Sequence, residues 1–350
     1  MKLTSSVDWL LVLLCLIISI FSSTVWISLD SFKITPEILF FLIGFILFVV
    51  VSLVDFRIYK SFPVLFYFLG LLLLIATFIF GSSIKGATRW INFAGVSLQT
   101  SELVKPLILV FFSALAVKIN LSKWKNCLIY WVLTLPFLFL VFKQPDLGNT
   151  IIYFLVFAAV FFQGGGNLIF SGFFTALAGI SAPIFWHVLK EYQKQRITSF
   201  LNPAKDPLGV GYNLLQAIIT VGSGSIRGKG LGAGTQSRLR FLPERSTDFI
   251  FATVAEETGF FGSIFLVIIL FSLLWRIYVI GSKAENKFAQ CIVFGVFMMI
   301  FSQTVINIGM NIGIMPITGV TLPLVSQGGS SIVGIMIALG IVSNISLPRY

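Results

Sequence analysis

The chain has 350 residues, of which 57% are hydrophobic, 11% are charged and 38 are phenylalanine. Soluble globular chains carry about 25% charged residues, so this composition excludes a soluble domain, a disordered chain and a coiled coil. The net charge of +11 favours basic membrane-facing loops and anionic lipid-like partners over nucleic acid. Because the apolar residues come in long unbroken runs, a membrane β-barrel is excluded as well.

Ten apolar runs predict ten transmembrane helices, since a membrane-spanning helix needs about 20 residues. In chain order the runs cover residues 9–27, 38–54, 62–80, 102–117, 127–142, 147–162, 168–189, 249–280, 288–309 and 332–347. We therefore predict an all-α integral membrane protein with one polytopic domain over residues 1–350. The first run is interpreted as a retained span, because no small-residue cleavage site follows it.

The distribution of lysine and arginine in the short loops predicts the orientation of these spans. If the N-terminus is cytoplasmic, the inside loops carry more basic residues than the outside loops. The inside set is Lys2, Arg57, Lys60, Lys118, Lys123, Lys125, Arg276, Lys283, Lys287 and Arg349, and the outside set is Lys33, Lys85, Arg89 and Lys143. The bias predicts a multi-pass membrane protein with both termini in the cytoplasm.

A long basic segment, residues 190–248, separates the seventh and eighth runs. It is not of low complexity, and residues 212–219 form an amphipathic stretch. Long polar loops of this kind are either functional or disordered, and this composition favours order. We predict an extracytoplasmic loop that carries the chemistry of the protein.

Glycine-rich residues 222–234 in this loop hold six glycines interleaved with Arg227 and Lys229. Glycine lets backbone N–H groups approach an anion closely, and cations neutralise it. No Ser or Thr follows Gly228-Lys229, so this is not a Walker loop. An anion-binding loop and a tight turn near the membrane are equally good interpretations of the pattern.

The loop re-enters the membrane at Asp248, after Ser246 and Thr247. Either of those two hydroxyl residues is expected to cap the eighth helix. Asp248 then has two interpretations: it complements the positive helix N-terminus, or it is a catalytic carboxylate at the wet mouth of an apolar cavity. The residues by themselves favour the first interpretation slightly.

Three further motifs place polar groups in or beside the membrane. Glu102 and Lys105 are three residues apart, so they share a helix face and are expected to pair. Asp146 follows Lys143 in a turn that opens the sixth run. It is either a simple cap of that helix or a functional acid. Residues 315–331 contain two prolines and three glycines, which predicts a non-helical turn lining a site.

The chain offers little for metal or thiol chemistry. Its three cysteines, Cys15, Cys127 and Cys291, lie far apart in apolar runs, and His187 is the one histidine. We predict no disulfide, no zinc site and no Ser-His-Asp triad. No cofactor is certain, and a divalent cation (Mg or Mn) is considered as an option.

Residues 143–150, 222–234, 241–259 and 316–331 together resemble the SEDS (shape, elongation, division and sporulation) membrane glycosyltransferases of bacterial cell-wall synthesis. The resemblance covers nearly the whole chain in order, and residues 243–249 look most like the elongation member. It implies polymerisation of lipid II into β-1,4-linked glycan at the outer face of the bacterial cytoplasmic (inner) membrane. It also implies a class B penicillin-binding protein, a transpeptidase, as partner.

The resemblance assigns roles to individual residues. Asp248 stands at the family's essential aspartate, which is taken to deprotonate the sugar hydroxyl of the acceptor lipid II. The other substrate is the undecaprenyl-pyrophosphate-linked glycan, whose pyrophosphate needs cations. We predict substrate contacts from residues that flank the basic loop or lie in the family motifs, namely Lys194, Arg196, Arg240, Arg245, Lys143 and Ser326. Glu102 and Lys105 are predicted to form a structural pair that shapes the cavity.

Two other functions remain open at this point. A lipid II flippase would need polar residues through both leaflets, whereas most in-membrane charges here cluster at the predicted outer ends. A non-catalytic scaffold for a transpeptidase would not need Asp248 or the glycine-rich segment. The distribution of charge favours chemistry on one side of the membrane.

Overall fold

The computed structural model describes residues 7–29, 34–84, 87–93, 96–173, 176, 187, 189–203, 206 and 209–347. The first helices are α1 (Trp9–Leu29), α2 (Ile34–Leu53), α3 (Phe56–Ser61) and α4 (Pro63–Phe80), and the strands β1 (Gly81–Ile84), β2 (Ala87–Phe93) and β3 (Val96–Gln99) follow. Next come α5 (Thr100–Lys118), α6 (Trp124–Lys143), α7 (Leu147–Gln163) and helical residues 168–173. The remaining helices are α8 (Glu191–Leu201), α9 (Val210–Ser223), α10 (Thr235–Arg238), α11 (Ile250–Lys283), α12 (Lys287–Asn311) and α13 (Gly329–Ile345).

Seven helices among the described residues are long and apolar enough to cross a membrane, and α7 and α13 are shorter apolar helices. These nine helices correspond to nine of the ten predicted runs. The seventh run, residues 168–189, lies mostly outside the described residues, so ten spans and the position of the long loop stay predictions. The number and length of the apolar helices make the chain a multi-pass membrane protein.

The bundle has an inner and an outer set of helices. Within their most apolar windows, α5 is 78% buried and α12 is 67% buried, whereas α2 and α4 are each 22% buried. Large apolar side chains on α4, such as Leu72 and Ile79, are exposed. Since lipid chains solvate such side chains as well as a protein core does, α2 and α4 form the lipid-facing layer around α5 and α12.

Long-range hydrogen bonds define the two ends of the bundle. At one end, the carboxylate of Asp8 before α1 pairs with Arg276 of α11 at 2.6 Å, and its backbone N–H donates to Ser343 of α13. At the other end, Ser28 of α1 donates to Glu257 near the start of α11. We call these the Asp8 end and the Asp248 end.

A small antiparallel sheet, in the order β1-β2-β3, joins α4 to α5 at the Asp248 end. Ile91 of β2 pairs with Gly81 of β1 and with Leu98 of β3. The sequence did not predict these three short strands, and the membrane-spanning part is helical as expected. The strands satisfy the backbone hydrogen bonds of the segment between the two helices, and β2 positions Arg89.

Candidate active site at the Asp248 end

Two asparagines of α12 fix the backbone of Asp248. The carbonyl oxygen of Asp248 accepts hydrogen bonds from the side-chain amides of Asn307, at 3.0 Å, and Asn311, at 3.1 Å. Asn307 also donates to the carbonyl of Val320 at 2.7 Å. One helix therefore ties the end of the basic loop to the non-helical segment 312–328.

The start of α11 differs from the sequence prediction. Its N-cap residue is Phe249, and no side chain caps the helix there. The hydroxyl of Thr247 donates to Glu244 instead, because the chain still turns at that residue. The expectation that Ser246 or Thr247 caps the helix was therefore wrong.

Segment 312–328 packs directly against the Asp248 carboxylate. Gly319 has a φ of 76° and lacks a side chain, and a Cβ built there would lie 3.4 Å from Oδ2 of Asp248. A side chain at this position would be strained and would partly cover the carboxylate. The half-buried carboxylate of Asp248 therefore lies beside the backbone of Gly319, within the segment that was predicted to line a site.

Ser326 serves as a tie between the two segments. Its hydroxyl donates to the carbonyl of Thr247 at 2.6 Å and accepts from the N–H of Leu322 at 2.8 Å. Gln327 N–H donates to the carbonyl of Ser246 next to it. Because Ser326 is buried and its hydroxyl is engaged on both sides, its geometry favours positioning of the loop over contact with a substrate.

A second acid, Asp146, lies on the far side of segment 318–320. It is buried and is the N-cap of α7. Asn149 donates its amide to Oδ2 at 2.9 Å, Gln99 donates to the same oxygen at 2.9 Å, and Arg89 lies 3.9 Å from Oδ1. Gly148 permits this approach, because a Cβ there would press on Val320.

Arg89 and Tyr192 bind the turn that carries Asp146. Arg89 donates to the carbonyls of Gln144 and Pro145, and the Tyr192 hydroxyl donates to the Pro145 carbonyl at 3.1 Å. Burial raises the pKa of the Tyr192 phenol, so the hydroxyl keeps its proton at neutral pH. These contacts attach α8 of the basic loop to the membrane bundle.

Arg196 of α8 brings a cation to segment 318–320. It donates to the carbonyl of Thr318 at 2.8 Å, and its guanidinium lies 5.9 Å from the ring centre of Tyr192. Burial lowers the pKa of Arg196, and Arg89 acts in the same direction, while Asp248 and Asp146 oppose both. An arginine stays charged in spite of such a shift, because its ordinary pKa lies far above neutral pH. The site therefore combines two carboxylates with two guanidinium groups.

The structure gives the other predicted substrate-binding residues the following surroundings. Lys194 pairs with Glu191 on the same helix at 3.0 Å. Arg245 donates to backbone carbonyls, including those of Ser237 and Leu29, so it holds the loop against α1. Arg240 is exposed. Lys143 is also exposed, with its ammonium 5.4 Å from the ring centre of Phe139.

The glycine-rich segment folds onto the start of α11. Glu256 accepts from Lys229 Nζ at 2.9 Å and from the backbone N–H groups of Gln236 and Ser237. Glu257 accepts from the N–H of Gly232 at 3.1 Å. These contacts use groups that would otherwise hold an anion, so the structure favours the tight-turn interpretation.

Glycine is required where this segment crosses α11. A Cβ at Gly224 would overlap the carbonyl of Ala255, and one at Gly259 would overlap the N–H of Gly228. Gly259 also has a φ of 68° inside α11, where the helix is kinked. The pattern therefore reflects close backbone packing beside the site.

The predicted pair in α5 is present. Lys105 Nζ lies 2.7 Å from Oε1 of Glu102, and both side chains are buried. Gln303 of α12 donates to Oε2 of Glu102 at 3.4 Å. Just before the pair, the carbonyl of Ser101 accepts from Tyr153 at 2.6 Å, so α5 is linked to α7 beside Asp146.

Sequence reasoning missed five residues of the site, which are Arg89, Gln99, Tyr192, Asn307 and Asn311. Arg89 was counted only as a topological charge. The two asparagines are four residues apart in an apolar helix, and polar residues in such spans mark functional sites by default. The two asparagines therefore predict from the sequence that α12 contributes to a functional site.

Comparisons with known proteins identify the family of the chain. Residues 2–350 match the family described as cell cycle protein, FtsW/RodA/SpoVE. The peptidoglycan glycosyltransferase MrdB of Escherichia coli K12 is 39% identical over 310 residues, which cover 87% of this chain and 83% of that protein. A probable peptidoglycan glycosyltransferase FtsW of Borreliella burgdorferi is 35% identical over 355 residues, covering 97% of this chain and 95% of that protein.

Two solved structures share the fold. One, from work on the coordination of polymerization and crosslinking by a peptidoglycan synthase complex, has a TM-score of 0.84 and 27% identity, and covers 97% of this chain and 98% of that one. The rod shape determining protein RodA of Thermus thermophilus has a TM-score of 0.74 and 24% identity, and covers 99% of this chain and 98% of that one. The chain belongs to the FtsW/RodA/SpoVE family.

Proposed function

We infer that this chain is a peptidoglycan glycosyltransferase, as its curated relatives are named. We propose that it polymerises lipid II into β-1,4-linked glycan during cell elongation. The observation that carries the proposal is that three groups meet segment 318–320: Asp248 lies beside Gly319, Arg196 donates to Thr318, and Asp146 caps the helix whose Gly148 packs against Thr318 and Val320. Transfer of a glycosyl group from a donor with a diphosphate leaving group requires a base and a cation.

In the proposed reaction, Asp248 accepts the proton of the acceptor sugar hydroxyl. The hydroxyl oxygen attacks the anomeric carbon of the donor, and a new glycosidic bond forms with inversion. The bond from that carbon to the pyrophosphate breaks, and undecaprenyl pyrophosphate leaves with the electron pair. Arg196, fixed by Thr318, neutralises the charge on the leaving group. The side-chain amides of Asn307 and Asn311 hold the backbone carbonyl of Asp248 in place during the step.

A divalent cation, Mg or Mn, stays a prediction. Within the described part of the chain, no group of three or more His, Cys, Asp and Glu side chains is placed to hold a metal ion. Mg²⁺ commonly binds through one or two carboxylates together with substrate phosphates. Asp146 and Asp248 are the carboxylates that would serve such an ion.

Arg196→Gln should weaken lipid II binding about 10- to 100-fold, the range of a lost charge-assisted hydrogen bond. Arg240→Gln, an exposed position of equal charge in the same loop, should change the affinity by no more than about twofold. Equilibrium binding of a fluorescent lipid II to both variants measures the difference. Equal losses in both variants would assign the phosphate contacts to the basic loop as a whole.

The proposed topology has both termini in the cytoplasm of a bacterial inner membrane and the Asp248 end outside. Ser225 and Ser282 are exposed and lie near opposite ends of α11, a helix about 50 Å long. An impermeant thiol reagent added to intact cells should label Ser225→Cys and not Ser282→Cys. The reverse labelling would place the site in the cytoplasm.

A class B penicillin-binding protein is the proposed partner. One structural neighbour belongs to a peptidoglycan synthase complex that coordinates polymerization and crosslinking. Crosslinking is the activity that a transpeptidase supplies.

One experiment distinguishes the proposed polymerase from a lipid II flippase and from a scaffold. Proteoliposomes with lipid II should yield polymer, whereas transbilayer movement without polymer would favour a flippase and neither activity would favour a scaffold.

A further inference from the structure

A groove of about 590 Å³ opens between α3, the start of α4 and the end of α5. It lies at the Asp8 end of the bundle, since α3 is tied to the end of α13 by the hydrogen bond from Phe56 N–H to Asn344. The groove is therefore separated from Asp248 by the length of the bundle. The proposed glycosyl transfer makes no use of it.

The wall of the groove is apolar and its rim is basic. Val64 of α4 and Phe111 and Leu115 of α5 contribute to the wall, and Lys60 and Lys118 supply two exposed ammonium groups. The lining includes no aspartate or glutamate. Among the described residues, neither lysine forms an ion pair with a carboxylate, and Lys60 Nζ lies 6.0 Å from the ring centre of Phe288.

The basic rim belongs to a well-held piece of structure. Asp55 caps α3 by accepting from the N–H of Arg57 at 2.8 Å. Phe56 stacks on Phe288 of α12, with ring centres 6.3 Å apart. Because α3 is fixed at its start, Lys60 is held near the groove and the site is largely formed before a ligand binds.

We propose that this groove binds one anionic phospholipid, with its phosphate at Lys60 and Lys118 and an acyl chain along Val64, Phe111 and Leu115. A small soluble anion would use the two lysines and leave the apolar wall uncovered. A zwitterionic lipid would cover the wall and bring a second positive charge to a basic rim. An anionic lipid places a negative charge at the basic rim and an acyl chain on the apolar wall. Basic residues near a membrane surface attract such headgroups.

Native mass spectrometry of the detergent-purified full chain tests the proposal with dioleoyl phosphatidylglycerol and dioleoyl phosphatidylcholine. Wild type should bind the phosphatidylglycerol at least tenfold more tightly. The double variant Lys60→Gln/Lys118→Gln should lose about 10- to 30-fold of that affinity. The matched control is Lys123→Gln/Lys125→Gln, which removes the same charge from two exposed lysines at the start of α6 and should bind as wild type does.

A second variant separates a lipid from free phosphate. Val64 is exposed at 57%, so Val64→Trp should fill the groove without disturbing the fold, which circular dichroism checks. It should weaken phosphatidylglycerol binding although both lysines remain. Glycerol phosphate, the headgroup without acyl chains, should not compete at concentrations equal to the lipid.

Three results would overturn the lipid site. Equal binding of the two lipids would remove the role of charge, and equal losses in the two double variants would assign binding to general surface charge. Effective competition by glycerol phosphate would make the ligand a soluble phosphate.

Discussion

Asp248→Asn should abolish lipid II polymerisation while the chain still folds and binds lipid II. Loss of a general base typically lowers the rate by about 10²- to 10⁴-fold. Asparagine keeps the size and hydrogen-bonding shape of the side chain but cannot accept the proton of the sugar hydroxyl. The clamp from Asn307 and Asn311 acts on the backbone carbonyl, so it should persist in the variant.

The measurement is the initial rate of glycan formation by purified wild type and variant, with lipid II binding as the test of folding. Glu244→Gln is the matched control, because Glu244 is an exposed acid in the same loop and its loss should leave the rate within a few-fold of wild type. A near-normal rate in Asp248→Asn, with a large loss in Glu244→Gln, would transfer the role of base to Glu244.

Removing one partner of the Glu102–Lys105 pair should produce the largest loss of stability. Both side chains are buried and their charged atoms lie 2.7 Å apart. Glu102→Ala or Lys105→Ala leaves one charge in a low-dielectric interior, which costs about 3–5 kcal/mol. The double variant removes both charges, so its loss should be smaller than the sum of the single losses.

Thermal or denaturant unfolding of the three variants in detergent completes a double-mutant cycle. Glu102→Gln is the informative fourth variant, because it should retain some polymerase activity if the pair is structural. Additive single losses would show that the two residues are not coupled. Complete loss of activity in a stable Glu102→Gln variant would place Glu102 in the chemistry.

Local sequence patterns predicted the helices and the pair in α5 for physical reasons. Long apolar runs select helices, since a helix satisfies its own backbone hydrogen bonds in lipid. The spacing of three residues between Glu102 and Lys105 places them on one face without knowledge of the remaining fold. The same local logic failed at Thr247, because the tertiary path of the chain delays the start of α11 until Ile250.

The site itself depends on contacts that are distant in sequence. Arg196 reaches Thr318 across 122 positions, and Asn307 reaches Asp248 across 59. Spacing along the chain carries no information on which of several loop cations enters the site. The role of the six glycines could not be predicted from the loop alone either. It depends on Glu256 of α11, which accepts hydrogen bonds from the backbone of the loop.

The most direct test of the proposed function is a single reaction. The purified chain is incubated with lipid II, and the products are separated on a gel that resolves glycan length. Wild type, alone or with the proposed class B penicillin-binding protein, should give a ladder of glycan polymer that Asp248→Asn does not give. A folded wild-type chain that binds lipid II and yields no polymer under either condition would contradict the assignment of glycosyl transfer to this chain.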